Sequence, residues 1–233
     1  MSARIVIADT NPDHGGYVRD AISLGYGSDI SGQIEIYSAD LGPAITYAQS
    51  IGAVAMVHSY VGIEYHVAEA HTAYPAIECF MPLGSNEHVE LDALQSVPVI
   101  VSCGAGQSQN DTAYGDGLEF WDNPDFVSSD ANGTVCGKLL KIKDVLGCSW
   151  WESRYRARMT ASNAGVWDKY NGYGQINLAA ALAFAGEIPP DPYMIIGRDM
   201  SVSIAWDSYR AEGIVRLEGI EIAMPGLMGE SME

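Results

Sequence analysis

Basic side chains are scarce in this 233-residue chain: 12 Lys and Arg stand against 30 Asp and Glu, for a net charge of −18. A surface so acidic excludes broad electrostatic binding of nucleic acid and is repelled by anionic membranes, so neither is expected as a partner. No apolar run is long enough to cross a bilayer. Cysteine is also sparse. Cys79, Cys103, Cys136 and Cys148 form no C-x-x-C pair and lie at no metal spacing from a histidine, so free, mostly buried thiols are expected. Arg4 leads directly into the first apolar run, so no secretion signal is expected, and the location expected is cytoplasmic or within an assembled particle.

What the chain does have is alternation. Apolar runs of strand length, Ile5–Ala8, "QIEIY", "AVAMVHSYVG", "AIECFMPLGSN" and "VPVIVSCGAG", alternate with helical segments, among them a helix opening at Asn11-Pro12 and closing at Gly25, "LGPAITYAQSIGA" and "EYHVAEAHTAY". This pattern predicts βαβ units: an α/β fold in three layers, with a mostly parallel sheet and helices on both faces. Two further helices are predicted, over Thr134–Leu146 and Trp150–Ser162. Prolines 189, 190 and 192 mark a linker. Beyond it, "SVSIAW" and "IVRLEGIEIA" read as a β-hairpin or two edge strands. The division expected is an α/β domain over 1–188, a small C-terminal β appendage over 193–224 and a frayed tail over 225–233.

Chemistry can be sought first at Asp9, which ends the Ile5–Ala8 strand, and at His14 in the next helical turn, because active residues in such folds sit at the carboxyl ends of strands. The pair is either an acid orienting a base or the plain punctuation of a strand-to-helix turn. His58, His66, His71 and His88 show no metal-site spacing, and no metal is expected from them. The loop carrying Asp111, Asp116, Glu119, Asp122 and Asp125 matches no EF-hand, which leaves a loosely held Ca²⁺ or a solvated loop; no cofactor is expected. Trp150, Trp151 and Tyr155 read as helix packing, and Tyr170 and Tyr173 as aromatics on a turn, with an interface as the sharper alternative.

The order of these segments over about residues 4–185 resembles the subtilisin-like serine proteases. "IVIADT" resembles the family's Asp-bearing strand, "HGGYVRDAI" its His-Gly-Thr-His helix start, "AIECFMPLGSN" the strand ending in Ala-Gly-Asn, and "YNGYGQINLAAAL" its closing Gly-x-Gly-x-(Val/Ile)-Asn segment. "NGTVCGKLLKI" resembles the Gly-Thr-Ser-x-Ala-Ala-Pro nucleophile helix. The resemblance then places Val135 in the nucleophile slot and Ser85 or Asn86 in the oxyanion slot. Valine has no nucleophilic atom, so the expectation is a degenerate, inactive subtilase-like domain in which Asp9 and His14 are vestigial. Cys136, one step along the helix, should point elsewhere, and Ser59, Ser128 and Ser129 read as loop hydrogen-bonding groups.

Such a domain would serve as a structural or interaction subunit, as in a phage particle. Its partner would be a protein or a second copy, paired through the C-terminal strands. Two alternatives compete with it: an active serine- or cysteine-type peptidase with a relocated nucleophile, and a module that holds a peptide along "SYVG" without cutting it.

Overall fold

The structure, a computed structural model, describes residues 4–37, 41–59, 76–83, 100–104, 113–115, 118–122, 127–190, 203–207, 212–217 and 220–223. Six strands form one parallel sheet: β1 (Ile5–Ala8), β2 (Ile34–Tyr37), β3 (Ala55–His58), β4 (Glu78–Pro82), β5 (Ile100–Gly104) and β6 (Phe120–Asp122), in the order β2-β1-β3-β4-β5-β6. Among the described residues five α-helices accompany them: α1 (Pro12–Tyr26), α2 (Leu41–Ser50), α3 (Ser128–Leu146), α4 (Trp150–Thr160) and α5 (Leu178–Ala183). The α/β architecture expected from the alternating pattern is the one observed.

Period-two alternation sorts the strand side chains into two apolar layers. Ile5, Ile7, Ala55, Val57 and Phe80 face one layer, with Val18 and Ile22 of α1 and Val135, Leu139 and Leu140 of α3. Val6, Ala8, Met56, Cys79 and Met81 face the other, with Ala44, Ile45 and Ala48 of α2. Helices therefore cover both faces of the sheet, and strands buried on both sides read as continuous apolar runs.

Two helix boundaries differ from the sequence reading. Helix α1 passes Gly25 and closes at Gly27, whose φ of 78° is the left-handed cap. Gly25 has a different task. A Cβ there would lie 2.1 Å from the Thr134 carbonyl oxygen of α3. Helix α3 begins at Ser128, six residues before the expected Thr134. Its internal glycines are contact points too: a Cβ on Gly137 would lie 2.1 Å from the Ile22 oxygen, and one on Gly133 would lie 2.8 Å from the Val18 oxygen. Contacts that rise together along both helices make α1 and α3 parallel, so their N-termini, with His14 and Ser129, share one end. At the other end Arg4 forks onto Asp144 through two 2.8 Å hydrogen bonds, and the Tyr26 hydroxyl donates to the same carboxylate.

Gly137→Ala is expected to wedge this backbone-to-backbone contact apart. Overpacking of this kind costs about 3 kcal/mol, read as a lower midpoint in urea unfolding. Because the same contact sets the separation of the two N-termini, any catalytic rate should fall with it. A variant as stable as the parent would contradict the close-packed helix pair.

The C-terminal segment holds three strands rather than two. β7 (Ser203–Asp207), β8 (Glu212–Leu217) and β9 (Ile220–Ala223) pair antiparallel in the order β7-β8-β9. The tail expected over 225–233 lies outside the described residues.

Candidate active site

The site is built on the short connection from β1 to α1. Asn11 caps α1, its side chain accepting from the N–H groups of Asp13 (3.1 Å) and His14 (3.4 Å), and Pro12 opens the helix where no N–H is needed. Asp9 is fully buried. Its Oδ1 accepts from the Asn11 N–H at 2.8 Å, and its Oδ2 lies 2.6 Å from Nδ1 of His14. A carboxylate can only accept, so Nδ1 carries a proton, and in the tautomer that a general base needs Nε2 is the acceptor. Gly15 lets this turn sit against β2, since a Cβ there would lie 2.7 Å from Ile36.

Nε2 is not idle: it lies 3.0 Å from Oγ of Ser129. Ser129 is the second residue of α3 and is buried apart from 5% of its surface. Hence the residue that meets His14 is Ser129, not Val135. Val135 is fully buried in the apolar layer between α3 and the sheet, six residues further along the helix. Nor are Ser128 and Ser129 loop residues, since they form the first turn of α3. The ground for expecting an inactive domain, a valine at the nucleophile position, is thereby removed.

A signal for Ser129 was present in the sequence. Against Gly-Thr-Ser-x-Ala, the string Val127-Ser128-Ser129-Asp130-Ala131 keeps the Ser and the Ala, whereas Gly133-Thr134 keeps only the first two letters.

Helix α3 enters without a side-chain cap at Val127. The N–H groups of Asp130 and Ala131 fold back onto the Val127 carbonyl, while that of Ser129 belongs to the first turn and has no intrahelical acceptor. It joins the positive end of the helix dipole beside the Ser129 hydroxyl. Asn132 ties this turn to the sheet, its Nδ2 donating to the His58 carbonyl at 3.0 Å. Asp130, next to Ser129, keeps Oδ1 out of solvent with no hydrogen-bond partner among the described residues. Burial pushes its carboxyl up.

The other candidates fall elsewhere. Cys136 and Cys79 are buried core thiols pushed well up by burial. Glu119 is engaged by Arg154 and Arg158, and Asp122 by Lys138. Asp111, Asp116 and Asp125 lie outside the described residues, as do His66, His71, His88, Ser85, Asn86 and the "YVG" of the peptide-edge expectation. Trp150 and Trp151 pack as expected, Trp150 edge-on to Phe80 with its indole N–H on the Val54 carbonyl and Trp151 with its N–H on that of Pro189. Tyr170 is half exposed and carries the Lys169 ammonium over its ring. Ser59, at the end of β3, is nearly buried, and its hydroxyl has no partner among the described residues.

His58, also at the end of β3, is fully buried with neither ring nitrogen hydrogen-bonded among the described residues. Burial pushes its pKa down from 6.5 to about 3. Between those values the unfolded chain binds a proton that the folded chain refuses, so stability falls with falling pH, by about 1.4 kcal/mol per unit. His58→Leu is expected to flatten this acid limb. It should also raise stability near neutrality by about 1–2 kcal/mol, since it removes two unmatched buried nitrogens. Denaturant titrations at pH 7 and pH 5 would check both, and an unchanged slope would contradict the assignment.

No family model matches the sequence, and no curated relative matches it. Solved structures do match. A serine-to-alanine mutant of the protease domain of PatA superposes with a TM-score of 0.56 at 14% identity, over 81% of this chain and 90% of that one. MycP3 protease from the type VII (ESX-3) secretion system gives 0.56 at 15%, over 78% and 83%. A protease from Pseudoalteromonas arctica gives 0.48 at 13%; the match takes in 67% of this chain and 64% of that one, less than two thirds of its length. The fold is subtilisin-like. At these identities the likeness speaks for the fold, and the side chains must speak for the chemistry.

Proposed function

We propose that this chain is a serine hydrolase acting by acyl transfer, a subtilisin-like peptidase with Ser129 as nucleophile, His14 as general base and Asp9 as the residue that orients it. The observation that carries the reading is the single imidazole placed 2.6 Å from a buried carboxylate and 3.0 Å from a helix-terminal hydroxyl. It is the relocated-nucleophile alternative of the sequence reading, with the serine at 129. That MycP3 and the PatA domain, which share the fold, are proteases supports it as well.

The chemistry follows from the geometry. Ser129 Oγ adds to a substrate carbonyl as its proton passes to Nε2 of His14, and Asp9 stabilises the imidazolium that results. Negative charge grows on the carbonyl oxygen, where the Ser129 N–H and the positive end of α3 can meet it. Collapse returns the proton from Nε2 to the leaving amine, and water repeats the sequence to release the acyl group. The side chain of His14 is about one-third exposed, which leaves a substrate access to this edge.

Turnover of an activated ester and of peptide amides by the purified chain tests the reading. Hydrolysis of both with burst kinetics on the ester is expected. No turnover of either would return the chain to the scaffold reading.

A further inference from the structure

We infer that Asn132 is a positioning residue for the acyl transfer: its hydrogen bond to the sheet fixes the rotation of the first turns of α3 and so aims Ser129 Oγ at His14. The inference rests on the hydrolase reading above and adds to it the side chain that sets the direction of the nucleophile.

Asp9 and His14 share one short connection, whereas Ser129 reaches His14 from a helix 115 residues further along the chain. Two constraints are then needed, one on the separation of α1 and α3 and one on the way α3 is turned. The glycines supply the first. A Cβ on Gly133 would lie 2.8 Å from the Val18 oxygen, and these residues stand four positions past Ser129 and His14 respectively. The two helices thus run in step from the reacting pair onward. Yet a contact made by a residue without a side chain carries no directional bond, and it tolerates a roll of α3 about its own axis.

Asn132 supplies the second constraint. It is fully buried and lies one turn past Ser129. Its Nδ2 donates at 3.0 Å to the carbonyl of His58, which ends β3 and stands opposite Ala8 of β1, the residue before Asp9. The bond therefore joins the start of the nucleophile's helix to the strand pair that carries the acid. A hydrogen bond weakens steeply as its angle closes, so this one resists the roll that the glycine contact permits. The residue type points the same way. Asn is a poorer helix former than Ala or Leu, and its amide is unfavourable to bury, so packing beside the buried Ala131 and Val135 would not select it. A roll of about 15° carries a side-chain oxygen roughly 1 Å around the helix axis. A misplacement of about 1 Å can slow a reaction roughly 100-fold.

Asn132→Leu keeps the branched shape of the side chain and removes its donor. The parent chain, this variant and Val135→Ala, which loosens the same helix without touching the bond, are compared once each is confirmed as folded by circular dichroism. The readouts are the rate of fluorophosphonate labelling and kcat and KM on a peptide amide. In Asn132→Leu labelling and kcat should fall roughly 10- to 100-fold with KM unchanged, while Val135→Ala stays near the parent. If Asn132→Leu does not fold, Asn132→Ala takes its place with the same losses expected. Labelling at the parent rate, a loss carried by KM, or an equal loss in Val135→Ala would overturn the inference and leave the hydrolase reading standing. A parent chain that is neither labelled nor active would overturn both.

Discussion

Ser129→Ala is expected to lower kcat on an activated ester by roughly 10⁴-fold or more, with unfolding free energy within about 1 kcal/mol of the parent. The asymmetry follows from position. Oγ makes the 3.0 Å contact with Nε2 of His14 and is the only atom lost, while the helix start it stands on is held by backbone bonds to Val127 and by Asn132 on the His58 carbonyl. The control is Val135→Ala, in the slot first assigned by the resemblance. Truncating that fully buried valine should cost about 2 kcal/mol of stability and spare the chemistry. If the effects were exchanged, so that the valine change abolished turnover and the serine change did not, Ser129 would lose its assignment.

The second large effect is structural and lies at the opposite edge of the sheet. Arg154 of α4 bonds Glu78, at the start of β4, at 3.0 Å and Glu119, just before β6, at 2.6 Å, with all three side chains less than a tenth exposed. Arg158 adds a 2.8 Å bond to Glu119. Burial alone would push Glu119 up, yet the two guanidinium groups hold it below the usual carboxylate range. Arg154→Leu strips the ion pair from Glu78 and one of two from Glu119, leaving charge in a low-dielectric edge. Such a change costs about 3–5 kcal/mol. Urea unfolding reads it directly, and a loss below about 1 kcal/mol would mean that water or rearrangement replaces the pair.

The fold was legible in the sequence because each central strand is buried on both faces. Ile5–Ala8, Ala55–His58 and Glu78–Pro82 lie inside apolar runs whose burial admits few other readings. The acid and the base were legible for a local reason: five residues separate them, and Asn11-Pro12 fixes the helix start between them. The nucleophile was not. Val127 carries no capping side chain, so no cap marked the start of α3, and the Ser and Ala of Ser129-Asp130-Ala131 were the one local trace of it. Gly133 and Gly137, which look like a helix opening, are instead the places where α1 presses against α3. Contact between helices more than a hundred residues apart in sequence decides that role, and local pattern does not carry it. The same contact displaced the end of α1 from Gly25 to Gly27.

The central claim is that His14 activates Ser129. Its most direct test is peptide mapping of the chain after reaction with a fluorophosphonate, which bonds only to a serine activated by its neighbours. The account predicts one adduct per chain, on Ser129, with labelling slowed by orders of magnitude in His14→Ala. An unreacted chain, an adduct on another residue, or labelling of Ser129 at the parent rate in His14→Ala would contradict it.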